Sequence, residues 1–353
     1  MPRLYAQTMS VPPIIQETPS GLYCAAGDFH VDPWKRTSRA VITHAHADHA
    51  RFGSDRYLCS REGLRVLRSR LGPSAVIDTL NWGETHRINS ATISLHPAGH
   101  VLGSAQVRIE HEGRVCVISG DYKTEADPTC SPFEPVRCHT FVTESTFGLP
   151  VYRWPPQQEI FSAINEWWIR CRDEDRAAVI FAYSLGKSQR ILAGINPEIG
   201  PVYCHSAVEE INREYRATGV RLPPTLLVSQ SPARKSWAGV LVVAPPGAAE
   251  SSWMARFSGG SRATASGWML TRATRRWQSV DRGFPLSDHA DWPGLLWAIR
   301  NTSAEEILVT HGHTEPLVRY LTEQGLYART IATRFSAEQS ERPVDNATEE
   351  HAP

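Results

Sequence analysis

Residues 43–50 read THAHADHA, which places His44, His46, Asp48 and His49 within six positions. A packed core does not accept that density. Each buried neutral imidazole must be hydrogen-bonded, and an unpaired carboxylate costs more still. The segment therefore has to face something positively charged. Chance would produce an H-x-H-x-D-H string in about one such chain in a thousand. In an extended loop, side chains at i and i+2 point the same way, so His44 and His46 can hold one metal ion as a pair. A tightening turn would then aim Asp48 and His49 at a second.

Further ligand candidates stand where apolar runs end: His100 in PAGHVLGS, Asp121 in ISGDYK and His311 in LVTHGH, with His313 as the alternative in that last motif. Taken singly, a histidine or aspartate beside glycine is an ordinary turn residue. The runs themselves read as strands. RAVITH leads to His44, ATISLHPAGH to His100, and HTFVTES carries Glu144 near its end, while QVRIEHEGRVCVISGD reads as a hairpin turning at Glu112-Gly113. Ser60 is placed to cap a helix that Gly72-Pro73 would stop.

Residues 22–150 are thus expected to be β-rich. From 151 to 285 the pattern changes to alternation: helix in EIFSAINEWWIRC, strand in AAVIFAYS, helix after Gly186, strand in PVYCHS, helix in AVEEINREYRATG, then strands in TLLVSQS and AGVLVVAPP. Such alternation predicts a small parallel-sheet unit. Helix, strand and helix resume in WPGLLWAIR, EEILVTH and EPLVRYLTEQG. The tail from 336 has few apolar residues and is expected to be disordered.

Composition excludes several classes. At 41% hydrophobic and 21% charged residues over 353 positions, the chain reads as an ordinary soluble protein with room for two domains, and no apolar run approaches the length of a membrane span. The N-terminus lacks the apolar stretch of a secretory signal, so a cytoplasmic location is expected. The seven cysteines are scattered without a C-x-x-C pair, which suits buried thiols better than a disulfide framework or a cysteine zinc site. Net charge is zero, so a polyanion would have to be met by a local basic patch. Lysine occurs only at positions 35, 123, 187 and 235, leaving 33 arginines. That excess suits phosphate recognition, though a genomic base bias is the plainer account.

H-x-H-x-D-H followed by His100, Asp121 and a late histidine resembles the metallo-β-lactamase fold. VTEST with Glu144, LSDHADW with His289 and LVTHG with His311 are similar to the additional motifs of the β-CASP nucleases. The stretches GLYCAAGDFHVDPWKRTSRAVITHAHADHARFG, FAYSLGKSQRIL, SGWM and RGFPLSDHADWPGLL resemble the bacterial ligase-associated DNA exonucleases, across roughly residues 20–335. The resemblance implies an α/β fold: a metallo-β-lactamase αββα sandwich formed by residues 1–150 and 286–335, a β-CASP α/β domain inserted over 151–285, and a tail over 336–353.

It also implies the roles. His44, His46 and His100 would hold one divalent ion; Asp48, His49 and His311 a second; Asp121 would bridge them. Two zinc ions suit the donors best, with manganese the alternative. Asp32, in HVDPW, would orient ligands, and His289 beside Glu144 would serve as general acid, the three together forming the catalytic set. A two-metal-activated hydroxide would attack a phosphodiester. The implied protein is a DNA exonuclease of repair, leaving 5′-phosphate and 3′-hydroxyl ends and linked functionally to an ATP-dependent DNA ligase and a helicase. An RNA nuclease of the 3′-end-processing type is the alternative, because distinguishing the sugars takes only one or two donors.

FAYSLGKSQR contains Gly-Lys-Ser, but Phe181 stands where a nucleotide-binding P-loop needs glycine. Read as strand, turn and helix start, it still offers Ser184, Gly186, Lys187 and Gln189 as substrate contacts; a plain turn at Gly186 is the alternative. RATRRW, with Arg275 and Arg276 beside Trp277, would line a substrate groove through phosphate pairing and base stacking. A solvated basic loop explains it equally well.

Overall fold

The computed structural model describes residues 13–232, 236–271 and 280–333. The basic stretch with Arg275 and Arg276 and the tail from 336 lie outside the described residues. Short strands β1 (Gln16–Thr18), β2 (Gly21–Cys24), β3 (Phe29–Val31), β4 (Arg39–Val41), β5 (Arg56–Ser60) and β6 (Ile77–Leu80) pair in that order as one sheet. β1 to β3 are antiparallel neighbours, whereas β3 to β6 run parallel, with helix α1 (Leu64–Leu71) between β5 and β6.

A second sheet starts with β7 (His86–Ile88), β8 (Ala91–Pro97), β9 (Ala105–His111), β10 (Arg114–Ile118) and β11 (Thr140–Ser145). The β9–β10 hairpin turns where the sequence predicts it. Glu112 and Gly113 both take left-handed φ values, 48° and 74°, which matches the twist of a two-residue hairpin loop. After β11 the chain leaves this sheet and forms a third. Helix α2 (Gln157–Asp173) comes first, then β12 (Ala178–Phe181), α3 (Lys187–Gly194), β13 (Val202–Cys204), α4 (Ser206–Ala217), β14 (Leu226–Leu227), β15 (Leu241–Ala244), β16 (Ser261–Ala265) and β17 (Arg282–Phe284). Its strands are all parallel, in the order β14-β13-β15-β12-β16-β17.

The chain then returns through α5 (Trp292–Thr302), β18 (Glu306–Gly312), α6 (Thr314–Glu323) and β19 (Tyr327–Thr330). β18 pairs parallel with β11, so the second sheet runs β19-β18-β11-β10-β9-β8-β7. The third sheet is therefore made from chain that interrupts the second.

Alternation along the strands decides the layers. Leu22, Phe29, Val31, Val41 and Leu58 of the first sheet meet Ile93, Leu95, Val107, Ile109 and Val142 of the second in one core. On the outer face of the second sheet, Val117, Phe141 and Val309 pack under Leu295 and Ile299 of α5 and Leu317 of α6. On the outer face of the first, Ala40, Tyr57 and Cys59 lie under Val66 and Leu67 of α1 and Tyr215 of α4. The result is helix, sheet, sheet, helix. The third sheet has its own core, in which Ile180, Leu241 and Val243 face Ile164 and Trp168 of α2, Ile191 of α3 and Val208 of α4.

Two local readings shift. TLLVSQS pairs over two residues only and then coils into a 3₁₀ turn at Val228–Gln230, because it is the sheet edge and has one neighbour to hold it. Ser60 stands a turn ahead of α1, which begins at Leu64; its Oγ accepts from Gly63 N–H at 3.0 Å and donates to the Gly103 carbonyl at 2.6 Å. No helix among the described residues is long and apolar enough to cross a membrane. All seven cysteines are free, six of them buried.

The loop joining β8 to β9 carries His100 and is held against α1 by a close backbone approach. A Cβ on Gly103 would lie 2.1 Å from both N and Cα of Gly63. Gly103 and the hairpin's Gly113 have nearly the same φ, 73° and 74°, but among the described residues no atom beyond its chain neighbours lies within 4 Å of a Cβ placed on the latter. Gly113→Ala should therefore cost only its left-handed strain, about 1–2 kcal/mol. Gly103→Ala should cost clearly more in urea unfolding. Equal losses would show that the approach to Gly63 is dispensable.

Candidate metal centre

Strand ends from both facing sheets deliver the ionisable residues to one place. β4 runs out before Thr43 and His44, and the chain then tightens: Ala50 N–H and His49 N–H both donate to the His46 carbonyl, at 2.8 and 3.1 Å. His46 is left on one side of this turn and Asp48 and His49 on the other. His100 comes from the β8–β9 loop, where Ser104 Oγ accepts from its backbone N–H at 3.0 Å. Asp121 follows the end of β10. His311 lies within β18, where the register slips between Thr143 and Ser145 of β11. There His311 takes a left-handed φ of 55°, and Gly312 packs so tightly that a Cβ would sit 2.4 Å from the Ser145 carbonyl. That kink turns the His311 side chain off the strand's regular path.

Ligand atoms of His44, His46, His100 and Asp121 lie within 4.8 Å of one another, and so do those of Asp48, His49 and His311. Asp121 Oδ2 joins the groups, 3.6 Å from His44 Nε2, 3.9 Å from His100 Nε2 and 3.5 Å from His49 Nε2. His49 and His311 stack, with centroids 5.2 Å apart. His311 is therefore the histidine of LVTHGH that reaches this cluster, while His313 lies beside Tyr152 and Trp268.

The hydrogen bonds fix the tautomers, because a carbonyl can only accept. His46 Nε2 meets the Leu185 carbonyl at 3.2 Å and must carry the proton, which leaves a bare lone pair on Nδ1. His100 Nδ1 meets the Asp288 carbonyl at 2.8 Å, which leaves Nε2 bare. Thr43 Oγ1 gives its hydrogen to Asp32 Oδ2 at 2.5 Å, so it accepts from His44 Nδ1 at 3.1 Å, and His44 Nε2 is bare as well. These three lone pairs converge: His46 Nδ1 is 3.1 Å from both His44 Nε2 and His100 Nε2. Neutral acceptors at that distance repel unless a cation lies between them. The donor set of imidazole and carboxylate fits a divalent metal, and Asp121 Oδ1, buried and without a hydrogen-bond partner among the described residues, adds an unspent acceptor.

Electrostatics agree with this reading. Burial, reinforced by neighbouring imidazoles, holds His44 and His100 well below the usual histidine range, and burial also lowers His46 and His311. All four thus present neutral rings. For His49 burial acts in the same sense, but the carboxylates of Asp121, Asp48 and Asp32 outweigh it and raise the ring. Asp32, itself at a left-handed φ of 44°, accepts from His49 Nδ1 at 2.7 Å and from Thr43 N–H at 2.8 Å.

Beside this cluster, His289 Nδ1 lies 2.9 and 3.1 Å from the two oxygens of Glu144. Glu144 also accepts from Tyr122 N–H at 2.7 Å and from the Thr146 hydroxyl. Burial would lower His289, yet Glu144, with Asp121 and Asp288, pushes it up to about 10. His289 also lies within ligand distance of His100 and Asp288, and of Asp121 and Glu144.

Of the residues chosen from SLGKSQR, Lys187 and Gln189 have their side chains engaged within the protein. Lys187, 1% exposed, pairs with Asp288 at 3.3 Å. Gln189 accepts from Gly186 N–H and donates to the Ser184 carbonyl and to Asn212. Ser184 is half-buried. Gly186 takes a φ of +88°. Sequence reasoning missed Thr43, Asp288, Arg190 and the Leu185 carbonyl. Asp288 stood next to the selected His289, but a main-chain carbonyl leaves no sequence signal at all.

Removing the orienting carboxylate should show in metal retention. Asp32→Ala is expected to weaken divalent-ion binding about 10- to 100-fold, read by competition with a chelating indicator. Thr43→Val, which leaves the His49 contact in place, should lose less.

No family model matches this chain. It is 31% identical over 313 residues to a probable DNA ligase of Opitutus terrae, a match that covers 88% of this chain and 30% of that protein. It is 30% identical over 135 residues to the endoribonuclease ysh1 of Aspergillus fumigatus, covering 37% of this chain and 15% of that one. With the endoribonuclease YSH1 of Saccharomyces cerevisiae it shares 27% over 145 residues, 31% of this chain and 19% of that one. The chain thus spans less than a third of the length of the curated relatives it matches. Among solved structures, a protein of unknown function from Enterococcus faecalis V583 superposes with a TM-score of 0.58 at 13% identity, over 84% of this chain and 80% of that one. At that identity the likeness is one of fold, and the fold of this chain is mixed α/β.

Proposed function

We propose that the chain is a metal-dependent nuclease of the metallo-β-lactamase fold, with a β-CASP domain inserted over residues 151–285 between the portions 1–150 and 286–335. The placement of the third sheet within chain that interrupts the second supports that division. The observation that carries the functional reading is the convergence of three imidazole lone pairs beside a buried His289–Glu144 pair. Two divalent ions, zinc before manganese, fit the donors, and when bound they would lower the pKa of a water and neutralise charge developing on a phosphoryl group.

The chain's own residues do the rest. His44, His46 and His100 would hold one ion and Asp48, His49 and His311 the other, with Asp121 within reach of both groups. Asp32 fixes His49 in orientation and tautomer. Glu144 accepts a hydrogen bond from His289 Nδ1–H, so Nε2 is the position from which a proton would pass to the leaving 3′-oxygen. Burial works against the charged ring, but the facing Glu144 carboxylate favours the protonated form, as that role requires. We read the substrate as DNA, cleaved from an end during repair in concert with an ATP-dependent ligase and a helicase, and the location as cytoplasmic. The match along 88% of the chain to a probable DNA ligase supports DNA. The shorter matches to endoribonucleases support RNA as the second reading.

End-labelled single- and double-stranded DNA and matched RNA, each incubated under several metals, decide the substrate. DNA should be degraded from its ends; preferential cleavage of RNA overturns the DNA assignment. His289→Ala should slow turnover about 10²- to 10⁴-fold while metal content, measured by elemental analysis, stays at the wild-type level. Loss of metal from that variant would make His289 a ligand instead.

A further inference from the structure

One of the groups that hold the imidazoles from outside, the Leu185 carbonyl, comes from the chain of the third sheet, and so do the buried cations Lys187 and Arg190 behind them. Between β12 and α3 the backbone passes so close to the His100 loop that a Cβ on Gly186 would lie 2.3 Å from Val101 Cγ1. Just before it, the Leu185 carbonyl accepts a hydrogen bond from His46 Nε2. Within α3, Arg190 is 1% exposed and its guanidinium divides among three partners. One terminal nitrogen donates to the His100 carbonyl at 3.2 Å and the other to Gln157 Oε1 at 3.1 Å, while Nε faces Asp127 Oδ2 at 3.3 Å.

A charge buried this deeply is tolerated only when its faces are matched, and meeting three partners in different directions takes a planar fork that lysine lacks. On the same helix, Lys187 holds Asp288, whose carbonyl accepts from His100 Nδ1. His100 is thus gripped through its own carbonyl and through the partner of its ring.

We propose that Arg190 is a positioning residue for the His44–His46–His100 donor set. It fastens the loop that carries His100 to the third sheet, so that the Nε2 lone pair stays aimed at the ion. The inference rests on the two-ion reading above. Arg190 supplies no donor atom itself; it sets where one points.

The full chain, stripped of metal and reloaded with zinc or cobalt(II), is titrated against a chelating indicator as wild type, Arg190→Lys and Gln157→Ala. Wild type should take up two ions. Arg190→Lys should bind one of them about 10- to 100-fold more weakly, leave the other unchanged, and alter the cobalt(II) visible spectrum of the weakened site alone. Gln157→Ala removes one acceptor of the guanidinium but leaves Asp127 and the His100 carbonyl facing it, and should weaken the same ion by less. A folded Arg190→Lys protein that matches wild type in both affinities and in spectrum overturns the proposal. So does one that loses both ions in parallel, as general destabilisation would produce. If Arg190→Lys is recovered unfolded, Gln157→Ala decides alone, and an unchanged affinity there is fatal. A wild-type protein that binds fewer than two ions defeats the two-ion reading itself, and this inference with it.

Discussion

Three imidazole nitrogens, each stripped of its proton by what its other nitrogen must do, face one another at hydrogen-bond distance with nothing to share. That arrangement is repulsive without a cation, and the surrounding structure exists to impose it. Leu185 and Asp288 offer carbonyls, Thr43 offers a hydroxyl already committed to Asp32, and each forces the proton to the far side of a ring. The rest of the architecture can be understood as the means of holding those carbonyls and that hydroxyl still.

The sheets do this by ending where they do. Facing sheets packed through Leu22, Val41, Val107 and Val142 bring the ends of β4, β8 and β10 to one rim, so His44, His100 and Asp121 meet although they are far apart in the chain. The bulge between β11 and β18 brings His311 to the same rim. The third sheet is no separate appendage, because α3 grips the loop that carries His100 through Arg190 and holds Asp288, behind the His100 ring, through Lys187. A cluster that could hold metal, assembled from two sheets and braced by a third, is expected to sense strain in any of them.

Much of this was legible in the chain. The H-x-H-x-D-H spacing gave the pairing of His44 with His46 and the turn that sends Asp48 and His49 to the other side. Apolar runs gave β8 to β11 and the hairpin at Glu112-Gly113, since period-2 burial and a two-residue left-handed turn are local properties. The edge strand in TLLVSQS was read too long, because how much of a run pairs depends on neighbours that the run does not encode. GKSQR was read as facing a substrate, whereas Lys187 and Gln189 turn inward to Asp288 and Asn212. Direction relative to a site is set by packing, and nothing in five residues specifies it.

The sequence by itself determined which chemistry the chain can host: a dense cluster of imidazole and carboxylate has no stable use in a core, and its spacing sorts it into two donor groups. Only the tertiary structure decided which ring nitrogen carries the proton, which histidine of HGH reaches the cluster, and that Arg190 and Asp288 stand behind His100. Those are matters of long-range contact. A proton follows the acceptor that happens to lie opposite, and for His46 and His100 that acceptor is supplied by backbone more than a hundred residues away, where any side chain would serve.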